Sequence, residues 1–121
     1  MVWACTYAVQ AEGVRKAGAF ANATATAAAY TLAYGQQAEG VINALTNKNW
    51  SDAFTAGLND DVVGLLTDCA SNLVGIYIIE YDPTGYPART AEFMTDVLYT
   101  GFWRDIKILQ SMQGATFVGQ A

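Results

Sequence analysis

Any chemistry in this chain would have to come from a short list of side chains: the adjacent carboxylates Asp60 and Asp61, the hydroxyls of Ser51, Ser71 and Ser111, and the thiols of Cys5 and Cys69. Two carboxylates share acid and base work only when they face a common substrate, and adjacent helix positions do not face each other. At a helix start both acids are explained by capping and by the helix dipole, which favours negative charge there. A serine nucleophile needs a base to take its proton, and the sequence has no histidine. No glycine-rich phosphate loop and no metal-ligand spacing occurs. The two cysteines form no CxxC motif, and their isolation favours two buried free thiols in a reducing compartment over a disulfide. The expectation is a protein that is not an enzyme and uses no cofactor or metal.

A chain of 121 residues supports one hydrophobic core. Hydrophobic residues make up 53% and charged residues 14%, well below the roughly 25% charged of an average domain. Two readings fit: an Ala- and Gly-rich composition that inflates the apolar count, or a surface partly covered by partners. Six of the eleven acids (Asp52, Asp60, Asp61, Asp68, Glu80 and Asp82) lie between Lys48 and Arg89, a span with no cation, so a negative face is expected there. Six scattered cations in a chain of net charge −5 do not supply the clustered Lys and Arg that displace counterions from phosphate, which argues against specific DNA or RNA binding. Arg15-Lys16 followed by the uncharged stretch 17–38 has the order of a signal peptide. Its alanines are diluted by Asn22, Thr24, Thr26, Thr31, Gln36 and Gln37, too weak for an export signal or a membrane span.

Helical periodicity runs through most of the chain. A short helix is expected over Thr6–Ala17, capped by Thr6 and closed at Gly18. A second is expected over Thr24–Leu45, with Ala38, Val41, Ile42 and Leu45 on its core side and with Gly35 and Gly40 admitting a close neighbour. The connection 46–59 is turn-rich, anchored by Trp50 and Phe54, with a helical turn after Ser51. Asn59 caps a long helix whose stripe of Val62, Leu65, Leu66, Cys69, Leu73, Ile76 and Tyr77 is widened by Val74, Ile78 and Ile79 until it is apolar nearly all round, the mark of a central helix. The run 73–79 also fits a buried strand, but the spacing upstream favours helix. Pro83 ends this element, and Gly85 suits a turn position with positive φ. A last helix of about 35 Å over Ala88–Gln110 is marked by Met94, Val97, Leu98, Phe102, Ile106 and Leu109. The segment 111–121 reads as an apolar tail. The sequons at Asn22 and Asn49 read better as helix caps. The fold class is therefore all-α: a small bundle with two long antiparallel helices, a further long helix, a short N-terminal helix and an extended C-terminal tail, divided as a helical domain 1–110 and an arm 111–121. The tyrosines and tryptophans outnumber what such a core can bury, leaving some for interfaces.

The order Gln37-Ala38-Glu39-Gly40-Val41-Ile42-Asn43, Asn49-Trp50-Ser51-Asp52, Leu58-Asn59-Asp60-Asp61-Val62, Ala70-Ser71-Asn72-Leu73-Val74 and Glu80-Tyr81-Asp82 resembles the head–tail connector (adaptor) proteins of long-tailed bacteriophages. The turn Tyr81 to Tyr86, the helix start Arg89-Thr90-Ala91-Glu92-Phe93-Met94 and the later Trp103-Arg104-Asp105-Ile106 are similar to that family's pattern, with a gap one residue shorter and a less basic last helix. The resemblance runs from about Thr24 to the end and rests on the ordered set.

The resemblance implies a virion protein of the neck, made in the host cytoplasm and assembled as a ring, commonly of twelve copies. The ring sits beneath the portal protein, extends the DNA channel and docks the next neck or tail-completion protein. DNA would pass without specific binding, and no membrane is involved. On that reading Asp60, Asp61 and Asp68 are candidate channel-facing acids, and Trp103, Met112, Phe117 and Val118 are candidate contacts to the portal or a neighbouring subunit. The tail is then an arm that orders on contact rather than a frayed terminus. The alternative from a different class is a free helical binding module, a small regulatory or secreted protein, with 17–38 as a degenerate export signal. Another neck or tail-completion protein is a third reading.

Overall fold

The computed structural model describes residues 5–87 and 89–112, the last of these in its backbone alone. Its elements are α1 (Gln10–Ala17), α2 (Ala28–Thr46), α3 (Trp50–Ala56), α4 (Asp60–Tyr81), a 3₁₀ turn (Pro83–Gly85) and α5 (Thr90–Met112). Among the described residues there is no strand, and the helices pack on one another as a small bundle. The run 73–79 is helix throughout.

Helix α4 is the hub, with α1, α2 and α5 all packed against it. Its length and composition would allow it to cross a membrane, but 67% of its apolar window is buried in protein. Val62, Leu66, Cys69, Leu73, Val74, Ile76, Ile78 and Ile79 are buried along it, with Leu65 and Tyr77 at its margins. Asn59 caps its start, accepting from the Asp61 amide at 2.8 Å. α5 folds back antiparallel after the turn at Pro83 and contributes Leu98, Phe102, Ile106 and Leu109 to the core. α1 approaches α4 closely because glycines face the contact. A Cβ on Gly13 would stand 2.8 Å from Val74 Cβ, and one on Gly75 would stand 2.9 Å from Lys16 Cβ. Trp50 is fully buried and donates from Nε1 to Thr46 Oγ1 at 2.8 Å, and Phe54 packs against the Tyr7 ring.

Several boundaries differ from expectation for identifiable reasons. α1 begins at Gln10 behind Val9, not at Thr6, because the Thr6 amide is turned toward Glu39 of α2. α2 begins at Ala28, since Asn22 Oδ1 takes the amides of Thr24 (2.8 Å) and Ala25 (3.2 Å) into a tight turn. Asn49, not Ser51, caps α3, accepting from the Asp52 amide. Gly35 does admit a neighbour, a Cβ there falling 2.5 Å from Cys5 Sγ, but Gly40 faces open space. Gly85 sits in the 3₁₀ turn without positive φ, which occurs instead at Gly18, Gly57, Asn47 and Arg89. Val97 and Val41, expected in the core, are 52% and 37% exposed. Cys5 is half-buried rather than buried. Finally, α5 continues through Ser111 and Met112, so the first two residues assigned to the arm extend the helix. Ser111 bonds back to the Ile108 carbonyl at 2.7 Å.

Candidate functional site

Two buried acids and one aromatic surface stand out once the helices are in place. The first acid, Glu39, is 1% exposed on α2. Its Oε2 accepts from three consecutive backbone amides, Thr6 at 2.7 Å, Tyr7 at 2.7 Å and Ala8 at 2.8 Å. Its Oε1 is buried without a partner among the described residues. The Tyr7 hydroxyl, reaching the Glu39 carbonyl and Asn43 Oδ1, and the bond from Thr67 Oγ1 to the Tyr7 carbonyl fix the same segment to α2 and α4. Burial, with the Glu39 charge adding to it, pushes the Tyr7 hydroxyl well above its usual range and the Cys5 thiol up to about 11. This is a structural latch for the N-terminal segment.

The second acid, Asp105, is 1% exposed at the junction of α1, α4 and α5. Its Oδ1 accepts from Arg104 Nε at 3.1 Å. Beside it, Asp68 takes Lys16 Nζ at 2.9 Å and Arg104 Nη2 at 3.2 Å. Burial chiefly, and then the adjoining Asp68, push the Asp105 carboxyl up to about 7. Burial pulls Asp68 the same way, but hydrogen bonds from Asp105 and Lys16 and the charges of Lys16 and Arg104 hold it below the ordinary carboxylate range. Cys69 is buried next to this cluster, its thiol raised by burial and by the two aspartates.

The aromatic surface runs across three helices. Tyr81 meets Tyr30 edge-on at 5.5 Å, Tyr30 meets Tyr34 at 6.3 Å, and Tyr34 meets Tyr77 at 5.6 Å. Tyr99 adjoins Tyr77, and Tyr99 and Trp103 border one shallow depression on α5 with Lys107 and Ile108. Tyr30, Tyr81, Tyr99 and Trp103 are 39%, 46%, 38% and 45% exposed. On the other flank of α5, about 120° around the helix, Phe93 and Val97 are exposed beside Lys16.

Of the residues singled out in the sequence, Trp103 stands in this band, packed edge-on against Phe102. Met112 ends α5, and Phe117 and Val118 lie outside the described residues. Asp60 and Asp61 are exposed at the start of α4, whereas Asp68 is half-buried and paired with cations from α1 and α5. The gap in cations along the sequence is thus closed in space for Asp68. The acids of 52–82 also do not gather on one face: Asp60 and Asp61 open α4, while Glu80 and Asp82 lie at its far end, about 33 Å away at helical rise. The single patch expected from the sequence becomes two. Sequence reading missed Glu39 and Asp105, although each carried a signal. Asp105 follows Leu98 and Phe102 and precedes Leu109 at core spacing, and Glu39 precedes Ile42 and Thr46 in the same way. An acid in register with a buried stripe has to find a partner inside.

Among the described residues no three His, Cys, Asp or Glu side chains converge as a metal site. No family model, curated protein or solved structure matches this chain.

Proposed function

We propose that this chain is a ring-forming connector subunit of the neck of a tailed bacteriophage, seated under the portal protein and docking the next neck or tail protein. The aromatic band carries this reading. Tyr and Trp are enriched where proteins associate because they bury much area at little entropic cost and keep a polar tip. A monomer would leave Tyr30, Tyr81, Tyr99 and Trp103 wet on one side of the bundle, with Phe93 and Val97 wet on another flank. Two different apolar surfaces on one subunit are what a head-to-tail contact needs, and such a contact closes into a ring when its rotation divides a full turn. The ordered sequence resemblance supports the phage neck as the setting.

The test is assembly on a template. The gene is expected beside portal and capsid genes, and the purified chain mixed with that neighbouring portal is expected to form closed rings under the electron microscope. Trp103→Ser should abolish the rings while leaving the monomer folded, because Trp103 is exposed. A wild-type chain that stays monomeric on the portal, or a Trp103→Ser chain that forms rings as readily, would overturn the reading.

A further inference from the structure

We infer that Asp68 and Asp105 hold one proton between them and act as a pH-sensitive clasp that ties α5 to α4. The starting point is a polar atom without a partner. Asp105 Oδ2 is buried and accepts no hydrogen bond from any described residue, although Oδ1 of the same group is satisfied by Arg104. An ionised oxygen held that way loses its hydration and receives nothing in return. If the oxygen carries a proton it becomes a donor, and the acceptor beside it is the Asp68 carboxylate, which the same Arg104 guanidinium binds. The orphan then disappears.

The neighbours assign the proton to Asp105. From α1, Lys16 binds Asp68, whereas Arg15 is paired with Glu12 of the same helix. From α5, Arg104 reaches both acids, with its Nη2 on Asp68 and its Nε on Asp105. From α4, Asn72 donates to Asp68 at 3.4 Å, and Cys69 is buried on the Asp105 side. The one acid of α2, Glu39, is committed to the amides of Thr6, Tyr7 and Ala8. The donors therefore converge on Asp68, which stays ionised, and Asp105 keeps the proton. Two carboxyl groups this close titrate as a pair in two steps.

The sign of the pH effect follows. A group whose folded value is about 7 and whose unfolded value is near 4 binds more protons folded than unfolded between those limits. Its contribution to stability is complete below about pH 4 and is lost as pH rises toward 7. The folded-to-unfolded ratio falls about tenfold per pH unit from this group, up to about 10³ in all. Acidification from about pH 7 toward 4 tightens the clasp, and further acidification loosens it again as Asp68, held below the ordinary carboxylate range by Lys16 and Arg104, takes up a proton.

The experiment compares the full chain with Asp105→Asn, whose amide imitates the protonated acid, by urea unfolding from pH 4 to pH 8, together with carbon NMR of the aspartate carboxyls. The two proteins should be close in stability at pH 4, and the variant should gain steadily on the wild type as pH rises. In the wild type one carboxyl should titrate near pH 7, and in Asp68→Asn its midpoint should fall because the facing charge is gone. An Asp105 carboxyl that titrates in the ordinary range, or parallel pH profiles for wild type and Asp105→Asn, would overturn the inference. If Asp105→Asn fails to fold, the wild-type titration decides alone.

Discussion

Replacing Glu39 by Gln tests the latch that holds the N-terminal segment. One carboxylate oxygen receives three backbone amides at 2.7–2.8 Å inside the protein, and Gln keeps the shape and the oxygen but removes the charge. Bonds to a charged acceptor contribute about 1.5–3 kcal/mol each and neutral ones about 0.5–1.5 kcal/mol, so the three together lose about 3 kcal/mol. Burying an amide in place of a carboxylate returns part of this, leaving a net loss of about 2 kcal/mol. With a urea slope of about 1.5 kcal/mol per molar, the unfolding midpoint should drop by somewhat more than about 1 M. Hydrogen exchange supplies a local measure, because the amides of Thr6, Tyr7 and Ala8 should exchange faster in the variant, while those in the middle of α4 should speed up only as far as global stability falls. Tyr7→Phe, which removes the separate bonds to the Glu39 carbonyl and Asn43 but keeps all three amides on the carboxylate, should speed their exchange less than Glu39→Gln does. An unchanged midpoint together with unchanged exchange at residues 6–8 would refute the view that the carboxylate holds this segment.

Glycine substitutions on α1 and α2 should act in opposite directions in thermal unfolding. Gly13→Ala forces a Cβ against Val74 and should cost about 1–2 kcal/mol after its gain in helix propensity, whereas Gly40→Ala points into open space and should add about 0.5–1 kcal/mol. The thiols should resist modification while the chain is folded. With the Cys5 thiol raised from 9.0 to about 11, about 100-fold less thiolate is offset by its greater nucleophilicity, so its reaction with a disulfide reagent at pH 8 should run about 10-fold slower than that of a free cysteine, and Cys69 should react only after unfolding in urea. A fast-reacting Cys69 in the folded chain would contradict its burial.

How far the sequence foretold this structure depends on whether the cause was local. α4 was legible at both ends because its signals are contiguous: the Asn59 cap, two acids in the first turn and Pro83 beyond the last. α3 was half legible, since Asn49 and Ser51 are both good caps and only packing of Trp50 against Thr46 chooses between them. Thr6 misled because its amide answers to a side chain 33 residues away, a contact that no window along the chain contains. Val97 misled because it keeps the spacing of Met94 yet stands about 100° around the helix from Leu98, off the edge of the stripe that Leu98, Phe102, Ile106 and Leu109 bury. The acidic segment was read correctly as a composition but not as a surface, because a 22-residue helix carries its two ends far apart.

The central position of α4 has a consequence for how the chain comes into being. Synthesis delivers α1, α2 and α3 before α4, the helix on which α1 and α2 chiefly pack, so until about residue 81 has been made they have only each other to settle on. The most apolar stretch of the chain is then made with α5 still to come, and about 30 further residues take about 2–6 s at ordinary rates of translation. During that interval the α5-facing side of α4 has no cover in the nascent chain, and it invites chaperones or aggregation. A stop codon placed between 82 and 100 should therefore yield insoluble product. Burial of α4 is thus a matter of timing as well as of packing.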